Sequence, residues 1–289
     1  MTQIIDLKRH FLKFCLVLAI LMLPVLVYAA SPKEAVNSIF EKQIKQYSAR
    51  GIEVKVKDEG KISGLQGFHL VTITLKKDKQ QKIMPFASNG DMVITSAIQV
   101  EGKNHYPILS AALAEKNKIS VSVKNAVIVH KANNSKFNIV MYLDFECPYC
   151  RISRDGVLSL VKEEKWPVDV YIKPVLIHTT EKNRFLTEMF IAMSHFRQDI
   201  SSLLFLNANR KKEEIVGKIK DYCKKNKIDY AKLVKIAQSK KTKNIIEANE
   251  KEMLKTLHSN GTPTFVVDSY IVRGASFGLL RHFVEKAAR

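Results

Sequence analysis

The chain contains few of the residues that dominate disordered, fibrous or disulfide-stapled proteins. Its 289 residues include 11 Gly, 8 Pro and 4 Cys, whereas 46% are hydrophobic. This composition excludes a disordered or collagen-like chain and allows a hydrophobic core of ordinary size. Four cysteines are also too few to staple a mini-domain together. Because single cores usually stop growing below about 300 residues, we expect two domains.

Acidic residues are scarce relative to basic ones, and the formal net charge is +19. Basic stretches such as residues 240–243 lie in helical patterns with acidic residues interleaved, and no nucleic-acid-binding motif accompanies them. We therefore expect a solvated basic surface and no nucleic-acid partner. The eight histidines show no HExxH or other metal-ligand spacing, so we expect neither a bound metal nor a cofactor.

Residues 1–29 have the pattern of a secretory signal peptide. Three basic residues precede an apolar run over residues 14–27, and small residues follow at a cleavage site. We expect cleavage after Ala29 or Ala30, since an uncleaved membrane anchor, the alternative, has barely enough apolar length. Export predicts a periplasmic protein and removes Cys15. The segment carries three Lys or Arg and one Asp, so the charge of the mature chain is +17.

Residues 30–100 are predicted to form a small α+β domain with one helix and about four strands. An apolar stripe at helical spacing begins near Ala35, and strand-like runs follow that are separated by turn residues such as Ser88-Asn89-Gly90-Asp91. So small a unit has a thin core and exposed sheet edges, which pairing with a second copy would cover. We therefore expect a homodimer through this domain, followed by a linker helix or hinge over residues 101–130.

Residues 131–289 are predicted to form a second domain of the α/β class. The pattern gives strand, helix, strand, a helical insertion at about residues 178–258, two further strands and a closing helix. The run from Phe137 to Asp144 is largely apolar, as expected for a buried central strand, and it leads directly into Cys147-Pro148-Tyr149-Cys150.

This Cys-x-x-Cys pair at a strand-to-helix junction indicates redox chemistry. Cys147 is placed at the helix N-terminus, where unpaired N–H groups and the helix dipole stabilise a thiolate, while Cys150 lies one turn further on. The first thiol is expected to attack and the second to resolve. Pro148 suits the first helical turn, which needs no N–H from it.

Two other interpretations of the pair are disfavoured. A structural zinc site needs about four ligands, so Cys223, His178 or His258 would have to be recruited from distant positions. A purely structural disulfide across two intervening residues constrains little unfolded-chain entropy. Cys223 itself falls on the apolar stripe of a predicted helix, which favours a buried, inert thiol.

Two motifs resemble the thioredoxin-fold disulfide oxidoreductases, in particular the Dsb group of bacterial envelope proteins. They are Phe145-Glu146-Cys147-Pro148-Tyr149-Cys150 and Gly261-Thr262-Pro263-Thr264-Phe265. The resemblance implies catalytic Cys147 and Cys150, a cis bond before Pro263, and substrate contacts from Thr262, Pro263, Pro148 and Tyr149. It also implies unfolded or misoxidised envelope proteins as substrates and a membrane redox partner, either a reductase or an oxidase.

The direction of the reaction remains open at this level. Threonine before the cis-proline, together with an N-terminal unit laid out like the dimerisation module of the disulfide isomerases, favours an isomerase or reductase. The Pro148-Tyr149 dipeptide and the helical insertion resemble the monomeric oxidase, which introduces disulfides. A third hypothesis, from another class, is a copper chaperone that binds soft metal through both thiolates.

One position departs from the family pattern. Some members carry a buried acid six residues before the first cysteine, which helps to move the proton of the resolving thiol, and here that position is Met141. Asp144 and Glu146 are nearer acids. We expect both to be solvated polar residues at the strand end.

Overall fold

The computed structural model describes residues 31–78, 80–95 and 107–289. The predicted signal peptide and part of the predicted linker lie outside these residues. The chain divides into two compact units, one ending at Lys116 and the other running from Asn117 to Arg289. Within the described residues, no helix is both long enough and apolar enough to cross a membrane.

The described residues of the first unit form an antiparallel sheet with two helices, as the α+β pattern of the sequence indicates. The helix that begins at Pro32 is capped by Ser31, whose hydroxyl accepts a hydrogen bond from the Glu34 N–H while the Glu34 carboxylate accepts one from the Ser31 N–H. The sheet order is β1-β2-β3-β4. The elements are α1 (Pro32–Ala49), β1 (Glu53–Lys61), β2 (His69–Lys77), β3 (Gln80–Ser88), β4 (Val93–Ile94) and α2 (Ile108–Lys116).

Alternation along β2 sends side chains to both faces of this sheet. Val71 and Ile73 pack with Phe40 of α1 in one core, whereas Leu70 packs with Ile108 of α2 in another. The helix predicted within the linker therefore packs on the sheet of the first unit. Strand β1 pairs with β2 alone among the described strands, so it forms an edge of the sheet.

The second unit is a five-stranded sheet with helices, in the order β5-β7-β6-β8-β9. Strands β6 and β7 run parallel, and the other neighbouring pairs are antiparallel. The elements are β5 (Val127–His130), β6 (Phe137–Leu143), α3 (Pro148–Glu163), β7 (Val168–Pro174), α4 (Glu181–Ser194), α5 (Ser201–Asn207), α6 (Lys212–Lys225), α7 (Tyr230–Ala237), α8 (Lys240–Lys255), β8 (Thr264–Val267), β9 (Tyr270–Arg273) and α9 (Phe277–Ala288).

Strand β6 lies in the middle of this sheet, as its apolar run predicts. Ile139, Met141 and Leu143 are fully buried, and so are Val140 and Tyr142 between them, because both faces of the strand are covered. The α/β class predicted from the sequence is confirmed, with helices α4 to α8 occupying the predicted insertion. The end of β6 leads into the cysteine motif.

Candidate dithiol active site

Cys147 occupies the N-cap position of helix α3. The chain turns directly after β6, since the Cys147 N–H donates to the Asp144 carbonyl over 3.1 Å. Pro148 then opens the helix, and the Cys150 N–H donates to the Cys147 carbonyl over 3.0 Å. This arrangement places the Cys147 sulfur where the free N–H groups of the first helical turn stabilise negative charge.

The two thiols have opposite electrostatic surroundings. Cys147 is 7% exposed, and a hydrogen bond from the Cys150 thiol, with further help from Thr262 and the backbone of the first turn, lowers its pKa to about 6 against the opposing effect of burial. Cys150 is 0% exposed, and burial followed by the neighbouring Cys147 thiolate raises its pKa well above the usual thiol range. At neutral pH one sulfur is therefore a nucleophile and the other a protonated thiol.

The loop before β8 meets the cysteines. The Thr262–Pro263 peptide bond is cis, and the Cys147 thiol lies 3.5 Å from the Thr262 carbonyl oxygen. This loop is fixed by its own bonds: the Thr264 hydroxyl donates to the Gly261 carbonyl over 2.8 Å, and the Gly274 N–H donates to the Pro263 carbonyl over 2.9 Å. Residues more than 100 positions apart thus form one site.

The residues predicted from the sequence to form the site fall into two groups in the structure. Cys147, Cys150 and Thr262 are in direct contact, with Pro263 adjoining. Pro148 and Tyr149 point outwards on the first turn of α3, and the Tyr149 side chain is 63% exposed. The site thus has a buried dithiol beside an exposed aromatic surface.

The expectation that Asp144 is solvated is wrong. Its side chain is 0% exposed, and its carboxylate accepts backbone hydrogen bonds from Glu146, Ile177 and His178 at 2.7 to 2.8 Å. The Asn183 amide adds a bond of 2.9 Å, and the His178 Nδ1 atom lies 3.2 Å away. A carboxylate can be buried here because this set of donors replaces its hydration.

Glu146 is also bound instead of solvated. Its carboxylate accepts a hydrogen bond of 2.6 Å from the Thr180 hydroxyl and forms an ion pair of 3.1 Å with Lys182. Both partners lie at the start of α4, where the helix dipole favours negative charge. The negative charge next to Cys147 is therefore largely compensated, so it opposes a Cys147 thiolate less than a free carboxylate would.

The partners of these two acids are the functional neighbours that the sequence did not reveal. Residues 177–183, which we call the acid-binding segment, follow β7 and include the first turn of α4. An Asp just after a strand is a known turn former that bonds the N–H two residues on, and this signal does point to the Asp144–Glu146 contact. No local pattern indicates the contacts made over 33 to 39 residues, because those depend on the packing of β7 beside β6.

Aromatic residues of the helical insertion pack against the residue that precedes the cysteine motif. Cys223 lies outside this site. The Phe145 ring packs against Phe205 at 4.6 Å and Phe190 at 5.3 Å between centroids, so the loop before Cys147 is anchored in the insertion. Cys223 lies on α6, is buried as predicted, and has its pKa raised by burial. Within the described part of the chain, no cluster of three or more His, Cys, Asp or Glu side chains is suited to hold a metal ion.

Comparison with known families decides the identity of the second unit. A family model described as Thioredoxin matches residues 128–286, more than half of the chain. The chain belongs to the thioredoxin family. This match confirms the predicted thioredoxin-like fold. It also supports the predicted enzyme class, which is thiol:disulfide oxidoreductase.

Solved structures are similar to this thioredoxin-family chain over somewhat more than half of its length. A thioredoxin-like oxidoreductase from Silicibacter pomeroyi DSS-3 is 20% identical, with coverage of 57% of this chain and 92% of that one and a TM-score of 0.46. A periplasmic thioredoxin-like protein from Salmonella enterica serovar Typhimurium is 19% identical (57% and 90% covered, TM-score 0.44). Oxidised BdbD from Bacillus subtilis is 16% identical (59% and 97% covered, TM-score 0.48). None of the curated proteins matches the chain.

Proposed function

We propose that this protein is an exported thiol:disulfide oxidoreductase that isomerises or reduces disulfides of envelope proteins through Cys147 and Cys150. The observation that carries this proposal is the opposite perturbation of the two thiols, with the pKa of Cys147 lowered to about 6 and that of Cys150 raised. Such a pair has one thiolate ready for attack and one thiol held in reserve. Export is inferred from the signal-peptide pattern of residues 1–29.

The first step is attack by the Cys147 thiolate on one sulfur of a substrate disulfide. A bond forms between Cys147 Sγ and that sulfur, the substrate S–S bond breaks, and the other substrate sulfur leaves as a thiolate that takes a proton from solvent. The helix N-terminus and the Cys150 hydrogen bond that stabilise the Cys147 thiolate keep it populated at neutral pH. The product is a mixed disulfide between enzyme and substrate.

The mixed disulfide can react further in two ways, one giving reduction of the substrate and the other giving isomerisation. In reduction, Cys150 loses its proton and attacks Cys147 Sγ, which releases the second substrate thiolate and leaves the enzyme oxidised by two electrons. In isomerisation, another substrate thiolate attacks the bound substrate sulfur, and Cys147 returns to the thiolate with no net redox change. The high pKa of buried Cys150 slows the first fate and leaves time for the second.

Substrate is proposed to lie across the turn that carries the motif. The backbone of Thr262 adjoins Cys147, so an extended chain that pairs with this loop would present its disulfide to the sulfur. Tyr149 and Ile152 expose apolar surface on the first turns of α3. Apolar side chains of an unfolded substrate can cover this surface, which suits a protein that binds non-native clients.

Isomerase or reductase work is favoured by the N-terminal unit. We propose that edge strand β1 or its surroundings pairs with a second copy, giving a homodimer with two dithiol sites. Sedimentation equilibrium of the mature protein tests this point. A monomer at all concentrations would remove the main argument for isomerisation over oxidation.

A dithiol oxidase is the second candidate, and one observation favours it. A thiolate stabilised to a pKa of about 6 also stabilises the reduced enzyme, which makes the disulfide form a better oxidant. A copper chaperone is the third candidate, and it would bind the metal through the thiolates of Cys147 and Cys150. Tight stoichiometric Cu(I) binding without reductase activity would favour this third hypothesis.

Two measurements decide between these candidates. Refolding of a scrambled disulfide protein should be accelerated by the mature chain and not by Cys147→Ser; full activity of that variant would refute the proposed chemistry. Alkylation of cells before lysis then reports the redox state of Cys147 and Cys150. A mostly reduced pair indicates isomerase or reductase work with a membrane reductase as partner, whereas a mostly oxidised pair indicates an oxidase.

A further inference from the structure

Asp144 is connected both to the cysteines and to the acid-binding segment. Its backbone carbonyl accepts the Cys147 N–H, and its own backbone N–H points at the Cys150 sulfur over 3.5 Å. Its carboxylate bonds Ile177, His178 and Asn183 from the acid-binding segment. One residue therefore links the main chain around both sulfurs to a segment more than 30 residues away in sequence.

The same carboxylate also shapes the turn before Cys147. Its Oδ1 atom accepts the Glu146 N–H over 2.8 Å, which closes a local turn between the end of β6 and the motif. The Asp144 carbonyl closes the next turn by accepting the Cys147 N–H. The side chain and the main chain of Asp144 thus form two successive turns, and these turns determine where helix α3 begins.

Proton transfer is an unsuitable role for this carboxylate. Oδ1 contacts the Glu146 N–H and His178 Nδ1, while Oδ2 accepts from the Ile177 N–H, the His178 N–H and the Asn183 amide. The two oxygens therefore accept from four N–H donors besides the contact with His178 Nδ1, so the carboxylate has about as many partners as lone pairs. The set of contacts suits a fixed acceptor that orients its neighbours.

We propose that Asp144 is a positioning residue of the dithiol site, which holds the motif turn against the acid-binding segment so that Cys147 stays at the helix N-cap beside Cys150. This inference rests on the proposed thiol–disulfide exchange at Cys147. Asp144 is three residues before Cys147, whereas the buried acid of some family members is six residues before it, at the position of Met141. Asp144 acts on the geometry of the sulfurs through the backbone.

The test is the thiolate titration of Asp144→Asn, followed by absorbance at 240 nm in the reduced, folded protein. Asparagine keeps the size of the side chain but turns an NH₂ group towards donors of the acid-binding segment. Loss of the negative charge alone would lower the pKa of Cys147. Loss of positioning would weaken the hydrogen bond from Cys150 and so raise the pKa of Cys147. We expect a rise of about one pKa unit, which reduces the thiolate population below pH 6 by about tenfold.

Asp169→Asn is the matched control, because Asp169 accepts the Ala132 N–H over 2.9 Å at the opposite end of β7. It should leave the pKa of Cys147 unchanged. His178→Ala is a second test variant; its ring is half exposed, and the substitution keeps the backbone bonds to Asp144 while removing the ring contact. We expect a smaller rise in the pKa of Cys147, even if Asp144→Asn does not fold.

The outcomes separate this inference from the proposed function. A pKa of Cys147 that is unchanged or lower in Asp144→Asn, despite a reduced melting temperature, would show a purely structural or purely electrostatic role and overturn the inference. An unchanged pKa of Cys147 in His178→Ala would overturn it if Asp144→Asn fails to fold. Because the titration needs no substrate, it is scored independently of turnover, whereas the proposed exchange chemistry is tested by the activity of Cys147→Ser.

Discussion

The sulfur of Cys147 lies 3.5 Å from the carbonyl oxygen of Thr262, across 115 positions of sequence. The Thr262 side chain also contributes to lowering the pKa of Cys147. One residue thus touches the reactive sulfur through its backbone and stabilises the thiolate through its hydroxyl. The backbone contact survives substitution, but the side-chain contact does not, so the two can be separated experimentally.

Thr262→Val should raise the pKa of Cys147 by about one unit, since a hydrogen bond to a charged group contributes roughly 1.5 kcal/mol. Attack on a disulfide below pH 6 should slow accordingly. Thiolate absorbance and the rate of insulin reduction measure the two effects. Thr242→Val is the control, because that buried hydroxyl bonds the Ile236 carbonyl within the helical insertion. A pKa of Cys147 that shifts equally in both variants would contradict the assigned contact.

Alkylation of the reduced protein by iodoacetamide should accelerate as the pH rises through about 6, the pKa to which the Cys150 hydrogen bond lowers Cys147. Only the thiolate reacts, so the Cys147→Ser variant should lack this step. Observation of a midpoint near 8.5, the value of an ordinary thiol, would contradict the lowered pKa.

The same pKa affects stability with a defined sign. The pKa of Cys147 is lower folded than unfolded, so its stabilisation is fully present above about pH 8.5, declines as the pH falls towards 6 and is absent below it. Urea unfolding of the reduced protein should show a gain of about 3 kcal/mol over this range relative to Cys147→Ser. Parallel stability curves for the two proteins would refute this expectation.

Cys150→Ser should accumulate mixed disulfides with client proteins, because it lacks the buried thiol that we propose resolves them. Non-reducing electrophoresis after rapid alkylation detects these species. Cys223→Ser is the matched control: its thiol is also buried but lies on α6, and it should give no mixed disulfides and normal activity. Equal trapping in both variants would remove the distinction between Cys150 and Cys223.

Glu252→Ala should lower the free energy of unfolding by about 3 kcal/mol, since it leaves a buried cation without a partner. The Glu252 carboxylate pairs with the Lys173 ammonium, whose side chain is 2% exposed, and accepts the Tyr142 hydroxyl over 2.8 Å. Urea unfolding measures the loss. Glu247→Ala, an exposed acid on the same helix, should cost far less, and a similar loss there would contradict the argument.

Local patterns were sufficient for much of the second unit. The apolar run at residues 137–144 corresponds to β6, the helical stripe after Pro148 corresponds to α3, and the strand signals near Thr264 and Tyr270 correspond to β8 and β9. These segments follow the period of their own side chains, so sequence spacing alone identifies them. The position of Cys147 at a helix start follows from the same spacing.

The surroundings of the acids could not be predicted in this way. Asp144 and Glu146 follow a strand and were expected to face water, yet the acid-binding segment covers both. The segment covers these acids because β7 runs parallel to β6, so that residues 177–183, which follow β7, lie beside the C-terminal end of β6. The period of a segment carries no information about which distant segment packs against it.

The sequence by itself determined the chemistry of this protein: two thiols one helical turn apart, a proline loop near the C-terminus and a thioredoxin-like order of elements. Only the tertiary structure decided how the thiols differ, because the difference depends on burial, on the contact with Thr262 and on the hydrogen bond between the cysteines. Residue types fix which groups can react. Their pKa values and partners depend on distances and solvent exclusion, and these arise only when remote segments pack together.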